Sequence, residues 1–338
     1  MFYKVKKSYN TLLHRLLGDW RYFLYNEHQH ESFVVKTYYK EKTLCEQKQK
    51  SAIFMANGFC NHAGLCDRLK GMTSIYGWCK KNGVDFFIYH VHPFSLDEYL
   101  RPNEYNWIIT EDAVCYNKKY TEVIHCMLNH LTSKLVSSGE IVKLEEVWLD
   151  KRFATHKLQY HLYTNIYPEN DMLFGELFRE LFKPAPKVEN NIMHHKKEIG
   201  NDYISISFRF MQLLGDFVDC EGETLCLDEQ NALIDKSIKV VENVKKIHPN
   251  IQKILVTADS IKFLNAVKKL PFVYVIAGKV GHINFENSDD VNMKTFLDFF
   301  MIANAKKVYL AKSEKMYNSD FARRAAMIYD KDFEILTY

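Results

Sequence analysis

The sequence predicts an α/β protein built as two Rossmann-like domains facing a cleft. Three observations carry that expectation. The 338 residues suit two domains of about 150 residues each. The second half alternates short buried-strand runs with helical segments, the signature of a doubly wound sheet. The first half opens on a strand–loop–helix–strand unit, the building block of a parallel sheet. Composition agrees: 47% apolar, 26% charged and 14% aromatic residues describe a globular chain with sizeable cores, which excludes disorder and fibrous repeats. A formal charge of only +3 speaks against a dedicated nucleic-acid binder.

The chain begins with a helix. Tyr9, Leu12, Leu13, Leu16, Leu17, Trp20, Phe23 and Leu24 recur at helical spacing, with Lys6, Lys7, Arg15 and Arg21 on the other face. Such a helix either docks on its own domain or touches an anionic membrane surface. No stretch of about 20 apolar residues predicts a membrane span. No apolar run follows Lys4, Lys6 and Lys7, so no signal peptide is expected. Eight scattered cysteines without a C-x-x-C read as reduced thiols. These features suggest a cytoplasmic protein, with peripheral contact at the inner membrane face left open.

Ala52–Ala56 is a buried-type strand that ends in the turn-rich loop Asn57–Gly64. A helix follows from about Asp67 to the Asn82–Gly83 stop signal, and Phe86–Val91 forms the next strand. Residues 93–150 predict an irregular stretch through Pro102, a helix near 122–137 and a strand near 147–149. A strand over 159–163 and a helix over 171–182 come next. Lys183-Pro184-Ala185-Pro186, with polar Glu189-Asn190-Asn191 behind it, reads as an interdomain linker. This divides the chain into domains 1–186 and 187–338. In the second, strands are expected at 203–208, 254–257, 272–276, 307–310 and 333–336. Helices are expected at 229–247, 261–270, 294–305 and 320–329.

Ligands of such sheets bind beyond the carboxyl ends of strands, so the loops there hold the candidates. Arg209 ends the strand 203–208. Its planar fork suits a phosphate and could stabilise a leaving diphosphate, or it forms a structural ion pair with Asp216. Asp259 and Ser260 follow the next strand, where they either hydrogen-bond a ribose or base, or cap a helix. Ser313, Ser319, Asp320 and Phe321 precede a helix whose N-terminus would favour an anion. In the loop after the first strand, Gly58 and Gly64 permit close approach, and Asn61, His62, Asp67 and Arg68 supply polar groups. The sequence has no P-loop, no G-x-G-x-x-G fingerprint and no G-x-S-x-G elbow. The pairs His28/His30 and His90/His92 have no further ligands spaced for zinc. Asp330-Lys331-Asp332 reads as a solvated turn.

In order and placement these loops resemble the fucosyltransferase superfamily of GT-B architecture, whose members form α-1,2-, α-1,6- and protein-O-linked fucose. Gly64-Leu65-Cys66-Asp67-Arg68-Leu69-Lys70-Gly71 resembles its first motif. Ser207-Phe208-Arg209 resembles its His-x-Arg motif, and Thr257-Ala258-Asp259-Ser260 its nucleoside segment. Asp298 with the run to Ala305, then Lys307–Ser313 and Ser319-Asp320-Phe321, resembles the C-terminal pattern that contacts phosphates. The chain departs from the family at Ser207, which replaces the motif histidine, and at Cys66, which replaces a glycine. Several residues also separate Arg209 from Gly215-Asp216.

The resemblance implies inverting transfer of fucose from GDP-fucose to a glycan hydroxyl, for example of a bacterial surface polysaccharide, without a metal or other cofactor. It implies a donor site of Arg209, Asp259, Ser260, Ser313, Ser319, Phe321, Gly64 and Arg68. An acceptor site would lie in the amino-terminal domain near Asn61 and His62. Inversion needs a base for the acceptor hydroxyl. Asp216, Asp219 and Asp67 are the candidates, and Asp216 is favoured because it follows Arg209 in the same loop. Two alternatives stand beside this: a different nucleotide sugar on the same fold, and a non-catalytic carbohydrate-binding protein.

Overall fold

The computed structural model describes residues 2–40, 50–127, 149–166, 171–217, 223–283 and 287–338. In chain order its elements are α1 (Phe2–Tyr38), β1 (Ser51–Ala56), α2 (Leu65–Asn82), β2 (Asp85–His90), β3 (Leu100–Pro102), β4 (Thr121–Cys126) and β5 (Gln159–Thr164). There follow α3 (Phe174–Leu181), β6 (Phe182–Pro184), α4 (Pro186–Ile199), β7 (Tyr203–Phe208), α5 (Leu227–Ile247), β8 (Lys253–Ala258) and α6 (Ile261–Val267). The last are β9 (Val273–Tyr274), α7 (Asp289–Ala303), β10 (Lys307–Lys312), α8 (Phe321–Ile328) and β11 (Asp332–Thr337). They form two compact units. The first holds Met1–Ala63, Asp67–His92 and Tyr105–Asp171; the second holds Gly64–Cys66, Pro93–Glu104 and Met172–Tyr338.

The first unit is a parallel sheet of order β2-β1-β5-β4. Every residue of β1 is buried, which is why its sequence is a continuous apolar run rather than an alternating one. Helix α2 packs so closely on this sheet that a side chain at Gly71 would overlap the Thr164 carbonyl. Helix α1 breaks at Gly18, where φ is 74° and ψ 167°. Beyond the break it docks on β4, burying Tyr22, Phe23 and Val34.

Polar bonds hold that docking too. Glu27 accepts from His125 Nδ1 at 2.6 Å and from the Met127 N–H at 3.0 Å. Glu31 takes both Nη atoms of Arg152, whose Nε bonds Glu122 at 2.6 Å. Burial pushes the Glu31 carboxyl up, and the Arg152 charge opposes it. The docked helix is one of the two outcomes left open for the N-terminal segment, and it accounts for residues 22–38. Before Gly18, Leu12 and Leu16 are 57% and 73% exposed.

The region 93–150 differs from its sequence reading. Residues 121–126 are strand β4, not the start of a helix, and 149–153 are helical, not strand. The rest of the expected helix and strand, 128–148, lies outside the described residues. The buried apolar residues Val123, Ile124 and Cys126 are interspersed with Glu122 and His125, whose polar groups are satisfied by Arg152 and Glu27.

The second unit is a parallel sheet of order β11-β10-β7-β8-β9, with a two-stranded β3-β6 ribbon. Strands and helices fall where the sequence placed them, within a few residues. Helix α7 is the largest shift: it starts at Asp289, capped by the Ser288 hydroxyl, which accepts the Val291 N–H. The linker expected at 183–186 is a correction. Pro184 ends an edge strand and Pro186 sits in the first turn of α4, two positions that tolerate a missing N–H. The contiguous part of the second unit therefore begins at Met172, not at 187. Gly64–Cys66 and Pro93–Glu104 also join it, the latter through β3 and through Tyr99, which stacks on Phe296 at 4.8 Å.

Candidate functional site

Strands β7, β8 and β10 end on one edge of the second unit's sheet, and the loops that leave them carry most of the predicted donor residues. β7 and β8 are in register at Ser207 and Thr257, whose buried hydroxyls bond at 2.8 Å. Ser207, where the family motif has a histidine, is thus engaged within the sheet.

Arg209 leaves β7 with its side chain 22% exposed. Its Nη1 meets Asp259 Oδ2 at 3.1 Å, and its guanidinium lies 4.6 Å from the centre of the Phe217 ring. Among the described residues Arg209 pairs with Asp259, not with Asp216. Asp259 is buried and does more than pair: Oδ1 accepts the Phe210 N–H and Oδ2 the Met211 N–H, both at 2.8 Å. These bonds bend the chain so that Met211 takes φ 53°, unusual for a side-chain-bearing residue. Burial raises the Asp259 carboxyl above the ordinary Asp range, against Arg209 and the two N–H groups. Asp259 is therefore a positioning residue for the Arg209 loop.

Asp216 also has another engagement than the one expected. Its Oδ2 accepts the Ser260 hydroxyl at 2.9 Å and the Lys262 N–H at 2.8 Å, while Ser260 in turn accepts the Phe263 N–H as the N-cap of α6. Asp216 and Ser260 together close the start of that helix. Asp216 Oδ1 is buried without a hydrogen-bond partner among the described residues.

The loop after β10 brings the third group. Ser313 closes a turn by accepting the Met316 N–H at 3.1 Å on its carbonyl. Ser319 Oγ accepts the Phe321 N–H at 3.2 Å, and the Phe321 ring packs on Phe299 at 5.2 Å. A cavity of about 390 Å³ opens at this edge, between Phe210–Leu213 on one side and Lys315–Tyr317 with Glu223 on the other. Lys315 lies 3.6 Å from Glu229 and 3.9 Å from Glu223. Asp298, expected among the phosphate contacts, instead turns inward on α7, buried against Lys294.

The first-motif residues divide between the units. Gly64 belongs to the second unit, beside His282. Asp67 and Arg68 belong to the first. Asp67 pairs with Lys70 at 2.9 Å and its side chain is 37% exposed. Arg68 is buried, donating to the Ala63 and His92 carbonyls and lying 3.2 Å from His90 Nε2. Burial lowers its guanidinium to about 10. Asn61 is exposed on the loop after β1. His62 is buried against Phe54, and burial with the neighbouring Arg68 and His90 charges lowers its imidazole well below the usual range. It is placed as a core side chain rather than a surface contact. Asp219 lies outside the described residues. No group of three or more metal-ligating side chains occurs among the described residues.

Two residues of this edge escaped the sequence reading. Phe217, directly after Asp216, supplies the ring on which Arg209 rests. His282 reaches the same ring from the loop after β9, with centroids 6.5 Å apart. The signal for it was the pair Gly278 and Gly281 in a loop that follows a strand.

No family model matches the sequence, and neither does any curated protein. Solved structures do. The chain is similar to the NodZ α-1,6-fucosyltransferase of Bradyrhizobium co-crystallised with GDP, at 13% identity and a TM-score of 0.53, over 82% of this chain and 92% of that one. It is similar to a variant of Arabidopsis thaliana FUT1 in complex with GDP, at 10% identity and a TM-score of 0.51, over 93% and 78%. It is similar to apo POFUT1 at 8% identity and a TM-score of 0.51, over 87% and 99%. At these identities the likeness shows the fold: an α/β, GT-B-like, fucosyltransferase-like fold.

Proposed function

We propose that this chain is a glycosyltransferase that moves fucose from GDP-fucose to a glycan hydroxyl, with inversion and without a metal. The observation that carries the reading is Arg209: a partly exposed guanidinium at the carboxyl edge of a parallel sheet, oriented by Asp259 and Phe217, beside a cavity of nucleotide-accommodating size. Arg209 would neutralise the departing diphosphate, the electrostatic requirement of the step. The acceptor hydroxyl gives its proton to a carboxylate as the sugar–oxygen bond forms and the bond to the diphosphate breaks. Asp216, Asp219 and Asp67 are the candidates for that base.

One observation favours a second reading. Asp259, the residue expected to read guanosine, spends both oxygens on the Arg209 loop, which fits a nucleotide sugar with another base on the same scaffold. Thermal-shift titration with GDP, UDP, CDP and ADP separates the two. A ligand at a hundredfold excess over Kd raises stability by about 2.7 kcal/mol. A GDP-selective shift followed by fucose transfer supports the first reading. A shift with another nucleotide moves the assignment to the second, and no shift with any leaves a non-catalytic carbohydrate-binding protein.

The glycan acceptor would be held by the first unit. The segment before Gly18 would meet an anionic lipid surface from the cytoplasmic side, since it carries Lys4, Lys6, Lys7 and Arg15 without an acidic residue and leaves Leu12 and Leu16 exposed. No described helix is long and apolar enough to cross a membrane. Co-sedimentation with phosphatidylserine vesicles should fall in a Leu12→Glu, Leu16→Glu variant; equal pelleting would reject the contact.

A further inference from the structure

We infer that β11 is a self-association surface on which a second copy of this chain pairs, joining two five-stranded sheets across a two-fold axis. The inference is independent of the nucleotide-sugar reading. An open sheet edge presents N–H and C=O groups that template another strand, so folded proteins cover or shorten it. Of the edges of the two parallel sheets, three follow that rule. Along β2 the Phe86 N–H donates to the Tyr105 hydroxyl at 2.8 Å and the Ile88 N–H to the Trp107 carbonyl at 2.9 Å. Along β4 the His125 and Met127 N–H groups donate to Glu31 and Glu27 of α1. β9 is only two residues long. β11 differs: it has six residues, none of them buried, and contains no proline, glycine or lysine.

The Tyr338 N–H donates to the Lys312 carbonyl, and Lys312 is in register with Thr337. In a parallel ladder this fixes which backbone groups face β10: those of the even-numbered residues. The N–H and C=O groups of Phe333, Ile335 and Thr337 point away from the sheet and have no hydrogen-bond partner among the described residues. Two such strands placed antiparallel have one register that uses all three. With the axis at Ile335, Ile335 meets its own copy and Phe333 meets Thr337, each as a hydrogen-bonded pair. The side chains fit that register. Ile335 is 45% exposed, and on the axis it meets an identical apolar side chain. Glu334 stands opposite Leu336, so no like charges are opposed, and it keeps its bond to Lys307 of its own chain at 2.8 Å. An axis at Glu334 would oppose two carboxylates, and one at Phe333 would set Asp332 against Glu334. An axis at Leu336 would leave Phe333 beyond the partner strand. The edge therefore specifies both a second copy and its register.

The test is analytical ultracentrifugation of the full chain over roughly 1–100 μM, the range of weak specific interfaces. A reversible dimer is expected. Ile335→Lys opposes two ammonium groups on the axis, and Thr337→Pro removes an outward N–H without touching the bonds to β10. Each should raise the dimer dissociation constant at least about tenfold. Both variants are checked for a wild-type circular dichroism spectrum. A second measurement reads the register. Under oxidation by diamide, Ile335→Cys should give a covalent dimer that a reductant reverses, because the Cα atoms of such a pair stand about 5.5 Å apart. Phe333→Cys should give no more than the wild type, its two copies lying about 14 Å apart along the strands. A wild type that stays monomeric overturns the inference and leaves the edge to a strand of another protein. A dimer that survives both substitutions overturns it, because the contact then lies elsewhere. Where either substitution disturbs folding, cross-linking decides: none in Ile335→Cys, or equal amounts in Ile335→Cys and Phe333→Cys, overturns the inference.

Discussion

Asp259→Asn tests whether the carboxylate at the end of β8 shapes the loop that carries Arg209. In the native site Oδ1 accepts the Phe210 N–H, and Oδ2 accepts the Met211 N–H and Arg209 Nη1. An amide offers one oxygen and turns its NH2 group toward a donor. One buried backbone N–H is left without an acceptor, at a cost of about 1–3 kcal/mol. The attraction to Arg209, about 5 kcal/mol at an effective dielectric of 20, is lost as well. Yet the carboxyl is shifted upward, so attraction and N–H bonds together do not offset the burial of its charge. Losing the charge therefore adds little, and the expected destabilisation is about 1–3 kcal/mol. In a unit of this size that lowers the melting temperature by roughly 2–12 °C.

The pH dependence of this difference has a fixed sign. The folded carboxyl titrates above the unfolded value of about 3.9. Its contribution is fully present below the unfolded value and is lost as pH rises through the folded one. The advantage of the wild type over Asp259→Asn should therefore be larger near pH 4 than near pH 7.5. Urea denaturation followed by circular dichroism at both pH values measures it. A variant as stable as the wild type, or a gap that widens toward neutral pH, would refute the argument.

Other substitutions address the remaining parts of the structure. Arg209→Ala should abolish nucleotide-dependent transfer while leaving the melting transition in place; retained transfer removes Arg209 from the assigned role. Gly71→Ala should destabilise by about 1–3 kcal/mol or more, because the methyl would stand 3.0 Å from the Thr164 carbonyl carbon and overlap its oxygen. Gly83→Ala has open space around it and only a left-handed φ of 63° to penalise it, so about 1 kcal/mol is expected in the same denaturation assay. Arg152→Ala should cost about 3 kcal/mol by leaving the buried Glu31 without its cation, and Glu31→Gln in the same chain should recover part of that.

Much of this architecture was legible because its signals are local. β1 and β8 are apolar runs of strand length, β7 alternates apolar residues with serine, α2 stops before Gly83 at φ 63°, and α6 starts at the Ser260 cap. The failures have a common cause. β4 reads as helix only if Glu122 and His125 are taken as solvent-facing, and both are held by residues about 30 and 100 positions away. Lys183–Pro186 reads as a linker only if β3, some 80 residues earlier, is unknown. In the candidate site, Arg209 was visible as a cation after a strand. Its partner was not, because Asp259 and Asp216 exchange the roles their sequence neighbours suggest: the nearer carboxylate holds a helix start and the farther one holds the arginine.

The assignment of Pro93–Glu104 to the second unit bears on how the chain is made. On a ribosome adding about 5–20 residues per second, β3 would wait roughly 4–16 s before β6 is synthesised. Phe296 follows later still. Until then Phe94 and Tyr99, which end beside Phe296, lack that partner, and β3 has an unpaired edge. Nascent chains stalled in this interval would carry two aromatic side chains and a strand edge whose partners are not yet made. Residues 172–338 made alone would lack the strand that pairs with β6, so a split of this chain at its longest uninterrupted boundary would not yield a self-sufficient half.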